Sequence, residues 1–276
     1  MSAEFELVLF CVDPEFIREA VAAGVAAIIV DWEHLGKEER QKGADTEINR
    51  HTVDDLRRVR QCTHARVLCR LNPPHPNTPR EIEAAIAAGA EEIMVPMVRS
   101  PDEVMWVLRL TRERCGVGIL VETVQAVHCA AQLGRLPLSR VYVGLNDLAI
   151  ERGTPNIFTA LVDGTLERVR ACFLDTPFGF GGLTLPDKGH PIPCRLLIGE
   201  MVRLGCRFSF LRRSFHRDIK GRNLAVEVPR ILSALHAATM RSPAEVEGDR
   251  QALYALVQAW NAKAAPTNEV VASCTT

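Results

Sequence analysis

Short runs of apolar residues alternate along the chain with longer stretches whose apolar positions recur every three to four residues. The runs fall at 7–11, 26–31, 66–71, 92–97, 117–122, 140–145, 177–183 and 207–211. They are β-branched and nearly continuous, as expected of parallel strands covered on both faces. Helical periodicity fills 14–23, 52–61, 78–88, 101–114, 124–133, 156–173, 195–204 and 223–240. Ser100-Pro101-Asp102-Glu103 opens one of these segments and Ala88-Gly89 closes another, both recognisable helix boundaries. Eight strand–helix units in about 240 residues predict an α/β fold, a (β/α)8 TIM barrel, with a doubly wound open sheet as the alternative. The barrel is favoured because the eighth unit completes it with nothing left over. Ser242-Pro243-Ala244-Glu245 then starts one more amphipathic helix, ending near Trp260. The expected organisation is a barrel domain over 1–241, a C-terminal helix over 242–262 and a disordered tail over 263–276.

Composition narrows the function. The chain has 276 residues, 47% hydrophobic and 24% charged, enough to bury one sizeable core. Lys plus Arg (33) nearly balance Asp plus Glu (34), and no basic block stands out, which argues against nucleic-acid or anionic-membrane partners. No apolar run approaches the roughly 18 residues of a membrane span, and the N-terminus lacks a signal-like pattern, so a cytoplasmic location is expected. The nine cysteines form no Cys-x-x-Cys pair and several sit inside apolar runs. They read as small buried thiols in a reducing compartment rather than a disulfide framework or a zinc site.

A barrel of this kind keeps its chemistry at the C-terminal ends of its strands. Those ends read Asp31-Trp32-Glu33-His34, Arg70-Leu71-Asn72-Pro73, Val95-Pro96-Met97, Val121-Glu122-Thr123, Gly144-Leu145-Asn146-Asp147 and Arg212-Arg213-Ser214. Glu122 and Asp147 come from neighbouring strands and can converge on one point. Two carboxylates suit a hard divalent cation, Mg²⁺ or Mn²⁺, with open positions for Lewis-acid catalysis on a carbonyl. Each alone would as readily cap the helix after its strand; the company of the other strand ends favours the metal. Arg70 can grip a carboxylate or stabilise an enolate oxygen, and can equally pair with Asp31 or Glu33. His34, three residues after Asp31, is either a general acid–base group or a solvated loop residue. Arg212, Arg213 and His216 either receive an acidic distal group of the substrate or form rim salt bridges. Gly181-Gly182 before Thr184 is a phosphate-binding turn or a site of close packing, and its spacing is not a dinucleotide fingerprint.

Taken in order, Asp31-x-Glu33-His34, Arg70, Gly89-Ala90-x-x-Ile93-Met94-Val95-Pro96, Val121-Glu122-Thr123 and Gly144-x-Asn146-Asp147-Leu148-Ala149 resemble the HpcH/HpaI aldolase and citrate lyase β-subunit superfamily. The similarity spans roughly residues 5 to 155. It implies a phosphoenolpyruvate/pyruvate-type barrel whose final helix packs on or swaps with a neighbouring subunit in a homo-trimer or homo-hexamer. It also implies one Mg²⁺ or Mn²⁺ per subunit at Glu122 and Asp147, chelated by a pyruvate or oxaloacetate. Arg70 would steady the enolate oxygen, and His34, oriented by Asp31, would move the proton of the aldol hydroxyl. Amides around Asn146-Asp147 would receive the substrate carboxylate, and no Schiff-base lysine is needed. Apart from the resemblance, Glu33 and Arg212 at their strand ends are further candidates to face the substrate. Leu120 stands where the aldolase branch carries Gln, which is closer to the citrate lyase branch, whereas that branch tends to have an acid at the position of His34. The expected activity is a divalent-metal-dependent carbon–carbon lyase acting on 2-oxo acids. One alternative is a lyase of malyl or citryl CoA thioesters, with Arg212, Arg213, Arg217 and Lys220 as a basic rim. The other is a non-catalytic barrel relative.

Overall fold

The computed structural model describes residues 5–40 and 49–264. All eight apolar runs are strands: β1 (Glu6–Phe10), β2 (Ala27–Asp31), β3 (Arg66–Arg70), β4 (Glu92–Val95), β5 (Gly116–Val121), β6 (Arg140–Val143), β7 (Phe178–Phe180) and β8 (Phe208–Leu211). Helices α1 (Pro14–Ala22), α2 (Lys37–Arg40), α3 (Val53–Cys62), α4 (Thr78–Ala87), α5 (Pro101–Thr111), α6 (Val124–His128) and α7 (Ala130–Leu133) accompany the first five strands. After β6 come α8 (Leu145–Arg152), a 3-10 turn (Ile157–Leu161) and α9 (Thr165–Arg170). Helix α10 (Cys194–Arg203) follows β7, and α11 (Arg213–Asp218), α12 (Leu224–Thr239) and α13 (Pro243–Ala264) follow β8.

Every hydrogen-bonded strand pair is parallel, in the order β7-β6-β5-β4-β3-β2-β1-β8. The two ends meet through the Arg207 amide, which donates to the Phe178 carbonyl at 2.9 Å, and the Ser209 hydroxyl, which donates to the Phe180 carbonyl at 2.8 Å. The result is a nearly closed eight-stranded parallel barrel with helices outside it, as the alternation of strand and helix patterns predicts.

The period of two along each strand decides where the charges emerge. Val8, Phe10, Ala27, Ile29, Leu68, Met94, Leu120, Tyr142, Phe208 and Phe210 form one buried cluster. A larger cluster joins the outward strand faces to the helices. Below the inner cluster, buried Arg140 donates to Glu92 at 2.6 Å and lies over the Phe208 ring. Above it, Asp31, Arg70, Glu122 and Arg212 follow two residues after Ile29, Leu68, Leu120 and Phe210. Each of these charged residues therefore shares a face with an inner-cluster apolar residue, so apolar packing alone delivers all four to the C-terminal mouth.

The helices depart from the expected pattern at several points, and the short helices α2 and α11 are additional to it. Segment 124–133 is two short helices, and segment 156–173 divides into the 3-10 turn and α9. Strand β6 stops at Val143, so Asn146 and Asp147 occupy the first turn of α8 rather than a strand end. An acid in a first turn is favoured by the helix dipole. Helix α13 opens with the expected Ser242/Glu245 capping box and packs against α10, burying Leu253 and Val257. Residues 265–276 of the expected tail lie outside the described residues. Among the described residues, no helix is long and apolar enough to cross a membrane, and the eight cysteines are free thiols.

Candidate active site

Asp31 and Arg70 are direct register partners on adjacent strands. Arg70 donates from Nε to Asp31 Oδ1 at 2.8 Å and from Nη2 to Oδ2 at 2.7 Å, a two-pronged pairing that fixes the guanidinium plane. Its Nη1 faces Glu33 Oε2 at 3.0 Å. Lys37 Nζ lies 3.1 Å from Glu33 and 3.7 Å from Asp31 with no solvent exposure. Arg212 Nη2 reaches Asp31 Oδ2 from β8 at 3.3 Å, and Asn49 Nδ2 donates to the same oxygen at 3.0 Å. Two acids thus face three bases in a largely water-free cluster.

Burial opposes the charge on Asp31, but Arg70, with Lys37 and Arg212, overcomes it and holds the carboxyl below its ordinary range. For Lys37, burial and then the nearby Arg70 lower the affinity for its proton, against the pull of Asp31 and Glu33. Burial and then Arg70 act in the same direction on Arg212. The Phe10 ring lies under both guanidiniums, with centroid distances of 5.2 Å to Arg70 and 4.9 Å to Arg212. Its face attracts cations, which offsets part of the repulsion between the two arginines.

Glu122 is the opposite case. It is 2% exposed, and burial, then Asp147 and Glu33, push its carboxyl up to about 8, against the pull of Arg70. Its Oε1 accepts the Met97 amide at 2.9 Å, and Met97 holds a left-handed backbone (φ 52°) uncommon for a side chain of this kind. On the other side, a Cβ at Gly144 would stand 2.3 Å from Glu122 Oε2. Only glycine at this position leaves room for the carboxylate where it lies. Asp147 is buried at 6% exposure in the first turn of α8.

Glu122, Asp147, Asn146, Arg70, Arg212 and Phe10 line one cavity of about 540 Å³ at the C-terminal mouth. Its far side is formed by the 3-10 turn, the segment after β7 and the start of α11, through Phe158, His190, Ile192, Arg213 and Arg217. Tyr142, stacked on Phe210 at 4.0 Å, is also among the lining residues.

A family model described as HpcH/HpaI aldolase/citrate lyase matches residues 7–156. The chain belongs to this aldolase and lyase family. Solved structures show the same barrel fold. An HpcH/HpaI aldolase from Desulfitobacterium hafniense is 17% identical, with 76% of this chain and 87% of that one covered at a TM-score of 0.57. The citrate synthase SbnG is 16% identical, covering 90% and 95% at 0.58. RipC from Yersinia pestis is 13% identical, covering 89% and 100% at 0.57. No curated protein matches.

The family chain brings most of the expected site residues together. Asp31, Glu33, Arg70 and Arg212 form one cluster, and Glu122, Asn146 and Asp147 share the cavity with Arg70 and Arg212. His34 stands apart. Its amide and that of Leu35 both donate to Asn72 Oδ1 at 2.9 Å, and its Nδ1 lies 2.9 Å from the Trp32 carbonyl. The exposed ring opens onto a second cleft lined by Leu35, Glu39, Arg50 and His51, and it makes no hydrogen bond with Asp31. His216 bonds the Phe10 carbonyl at 2.6 Å and packs on Phe16. Arg217 pairs with Asp218 at 2.8 Å.

Lys37 and Phe10 escape a reading confined to charged strand ends. Lys37 carries one usable signal, its four-residue spacing from Glu33. Among the described residues no group of three or more His, Cys, Asp or Glu side chains is arranged to hold a metal. The fit for a divalent cation rests on the Glu122–Asp147 pair. Burial and the neighbouring Asp147 raise the proton affinity of Glu122, and a hard cation held between the two carboxylates would relieve that repulsion.

Proposed function

We propose that this chain is a divalent-metal-dependent carbon–carbon lyase that cleaves or forms aldols of 2-oxo acids through a pyruvate-type enolate. The observation that carries this reading is the buried Glu122–Asp147 pair facing Arg70 across one cavity. Glu122 and Asp147 would hold Mg²⁺ or Mn²⁺, which supplies Lewis acidity toward a bound ketone and carboxylate. Arg70 has two N–H bonds committed to Asp31 and a third edge turned to Glu33. Of its five donors, those remaining are available to a substrate oxygen that gains charge. Asp31, held ionised, acts by keeping that guanidinium in place. A rigid donor aimed at developing charge is a preorganised electrostatic contribution to catalysis.

Chelation is the direct test. EDTA should abolish deuterium exchange at the methyl group of pyruvate, and added Mn²⁺ or Mg²⁺ should restore it; exchange indifferent to chelation would remove the mechanism. The close approach at Gly144 gives a second prediction. Gly144→Ala should displace Glu122 and weaken Mn²⁺ binding by about 10-fold or more, within the range for disturbed metal supports. Titration followed by electron paramagnetic resonance reads this, and wild-type affinity in the variant would take Glu122 out of the ligand set.

A second reading, a lyase of CoA thioesters, is favoured by Arg213 and Arg217 at the cavity mouth, where a mobile anionic carrier would pass. Preference for a malyl or citryl thioester over the free acid would select it.

A further inference from the structure

One oxygen of Glu33 lies between two cations. Glu33 Oε2 is 3.0 Å from Arg70 Nη1 and 3.1 Å from Lys37 Nζ. Arg70 directs aligned hydrogen bonds from Nε and Nη2 to Asp31. Its approach to Glu33 Oε2 is instead a contact of charges, without hydrogen-bond alignment. The N–H bonds of Nη1 are therefore not committed to Glu33, and Arg70 lines the cavity. We propose that Lys37 is a positioning residue that offsets the charge of Glu33 and so leaves the Nη1 edge of Arg70 to the substrate. The inference rests on the lyase reading, in which that edge meets the oxygen that becomes an enolate.

A tight reversal after β2 brings Lys37 back to the mouth. The Glu33 amide donates to Asp31 Oδ1 at 3.2 Å, and Asn72 Oδ1 accepts the next two amides, of His34 and Leu35. Asn72 is itself fixed, donating from Nδ2 to Glu81 Oε1 at 2.7 Å. Gly36 then turns the backbone with φ +67°, a conformation that favours glycine. The Lys37 amide closes on the His34 carbonyl at 3.2 Å. Lys37 thus opens α2 with its side chain directed at Glu33 and Asp31, fully shielded from solvent. His34 rides on the same turn, whose two ends the Glu33–Lys37 pair ties together.

An ammonium suits this task better than a guanidinium would. It is a compact point charge and lacks the planar fork with which an arginine grips both oxygens of a carboxylate. Lys37 Nζ makes no aligned hydrogen bond among the described residues, a costly state for a buried cation that served stability alone. Its other acid, Asp31 Oδ2, stands farther off at 3.7 Å and is already bonded by Arg70, Arg212 and Asn49. The charge of Lys37 therefore falls chiefly on Glu33. Without it, the pull of Glu33 on Arg70 would be little screened in a site this dry. Nη1 would turn into a hydrogen bond with Oε2, away from the substrate and out of the plane that Asp31 sets.

A double-mutant cycle on pyruvate methyl exchange at saturating Mn²⁺ tests this, with folding of each variant checked by urea titration. Lys37→Met should lower kcat by about 10–100-fold, the scale of a small misplacement of a catalytic group. KM for pyruvate should stay within about threefold, because the edge acts on charge that develops during the reaction. Adding Glu33→Gln to Lys37→Met should recover most of the lost rate, since the acid that captures Arg70 is gone. Recovery is the decisive reading, because a lysine that only closed the turn would leave the double variant as slow as the single one. A double variant that slow would overturn the proposal, as would wild-type kcat in Lys37→Met or a loss confined to KM. Should Lys37→Met not fold, Glu33→Gln is compared with the double variant, in which a neutral pair replaces a buried ion pair, a change proteins often tolerate. The two should then differ by less than about threefold, and a further loss of about tenfold or more would overturn the proposal. A wild type with no metal-dependent exchange would bring down the lyase reading itself, a separate and recognisable failure.

Discussion

Replacing Glu122 by Gln should make the metal-free protein more stable while removing the metal it is proposed to hold. Glu122 is pushed up to about 8 by burial and by Asp147, whereas in an unfolded chain a glutamate titrates near 4.3. The folded protein thus holds this proton more tightly than the unfolded chain. Between roughly pH 4 and 8 folding takes up a proton, so metal-free stability falls as pH rises through that window and levels off above it. At about 1.4 kcal/mol per pH unit the loss is on the order of 4 kcal/mol at pH 8, or a melting temperature lower by about 10 °C for a domain of this size. Glu122→Gln keeps an acceptor for the Met97 amide and removes the ionisation, so its melting curve should lose that pH dependence. Saturating Mn²⁺ should raise the wild-type melting temperature at pH 8 and leave the variant unmoved. Pyruvate exchange by the variant should fall about 10³-fold. Scanning calorimetry from pH 5 to 9, with and without Mn²⁺, reads both effects; parallel curves for the two proteins would show that Glu122 carries neither.

Arg70→Lys should be the more damaging of the charge-preserving changes. A lysine cannot reproduce the paired bonds to both oxygens of Asp31 while facing Glu33. Asp31 would be left in a water-free site with a poorer partner, and breaking a buried pair of this kind costs about 3–5 kcal/mol. Exchange should drop by about 10²–10³, the range for a lost oxyanion donor. Asp31→Asn placed in the Arg70→Lys background should lose further stability, because it removes the carboxylate that Lys37 and Arg212 also face, and should recover none of the exchange. Urea titration and exchange kinetics on wild type and the two variants separate the two roles. Exchange within twofold of wild type in Arg70→Lys would end the case for Arg70 in enolate stabilisation.

Which parts of this site were legible follows from how each is built. Asp31, Arg70, Glu122 and Arg212 could be read because a strand has a period of two and an abrupt end. Once the apolar runs are placed, the charged residue at each end falls at the mouth. Asp147 was found for a related reason but given the wrong local setting, since nothing in Gly144-Leu145-Asn146-Asp147 announces that the strand stops at Val143 and a helix starts at once. Lys37 escapes because a lysine in a polar loop reads as solvated, and its burial depends on Asp31 and Glu33, two acids that Arg70 holds in place. Phe10 was missed because an aromatic residue at a strand end looks like core. In the segment after β2, Asn72 accepts the His34 and Leu35 amides and His34 lines a second cleft, a placement that no local pattern announces.

The Arg212–Asp31 contact at 3.3 Å has a bearing on how such a barrel changes over time. Residues 7–156 match the family model and hold the proposed enolate-forming groups; Arg212 lies beyond them. The contact joins the end of β8 to the end of β2, tying the divergent half to the familial half at the mouth. Under the proposed lyase activity, a barrel divided in this way can alter which partner the enolate meets by drift in the second half while the Arg212–Asp31 contact is kept. Exchanging the second half between relatives while keeping Arg212 is then a route to new acceptors that leaves the first half of the reaction untouched.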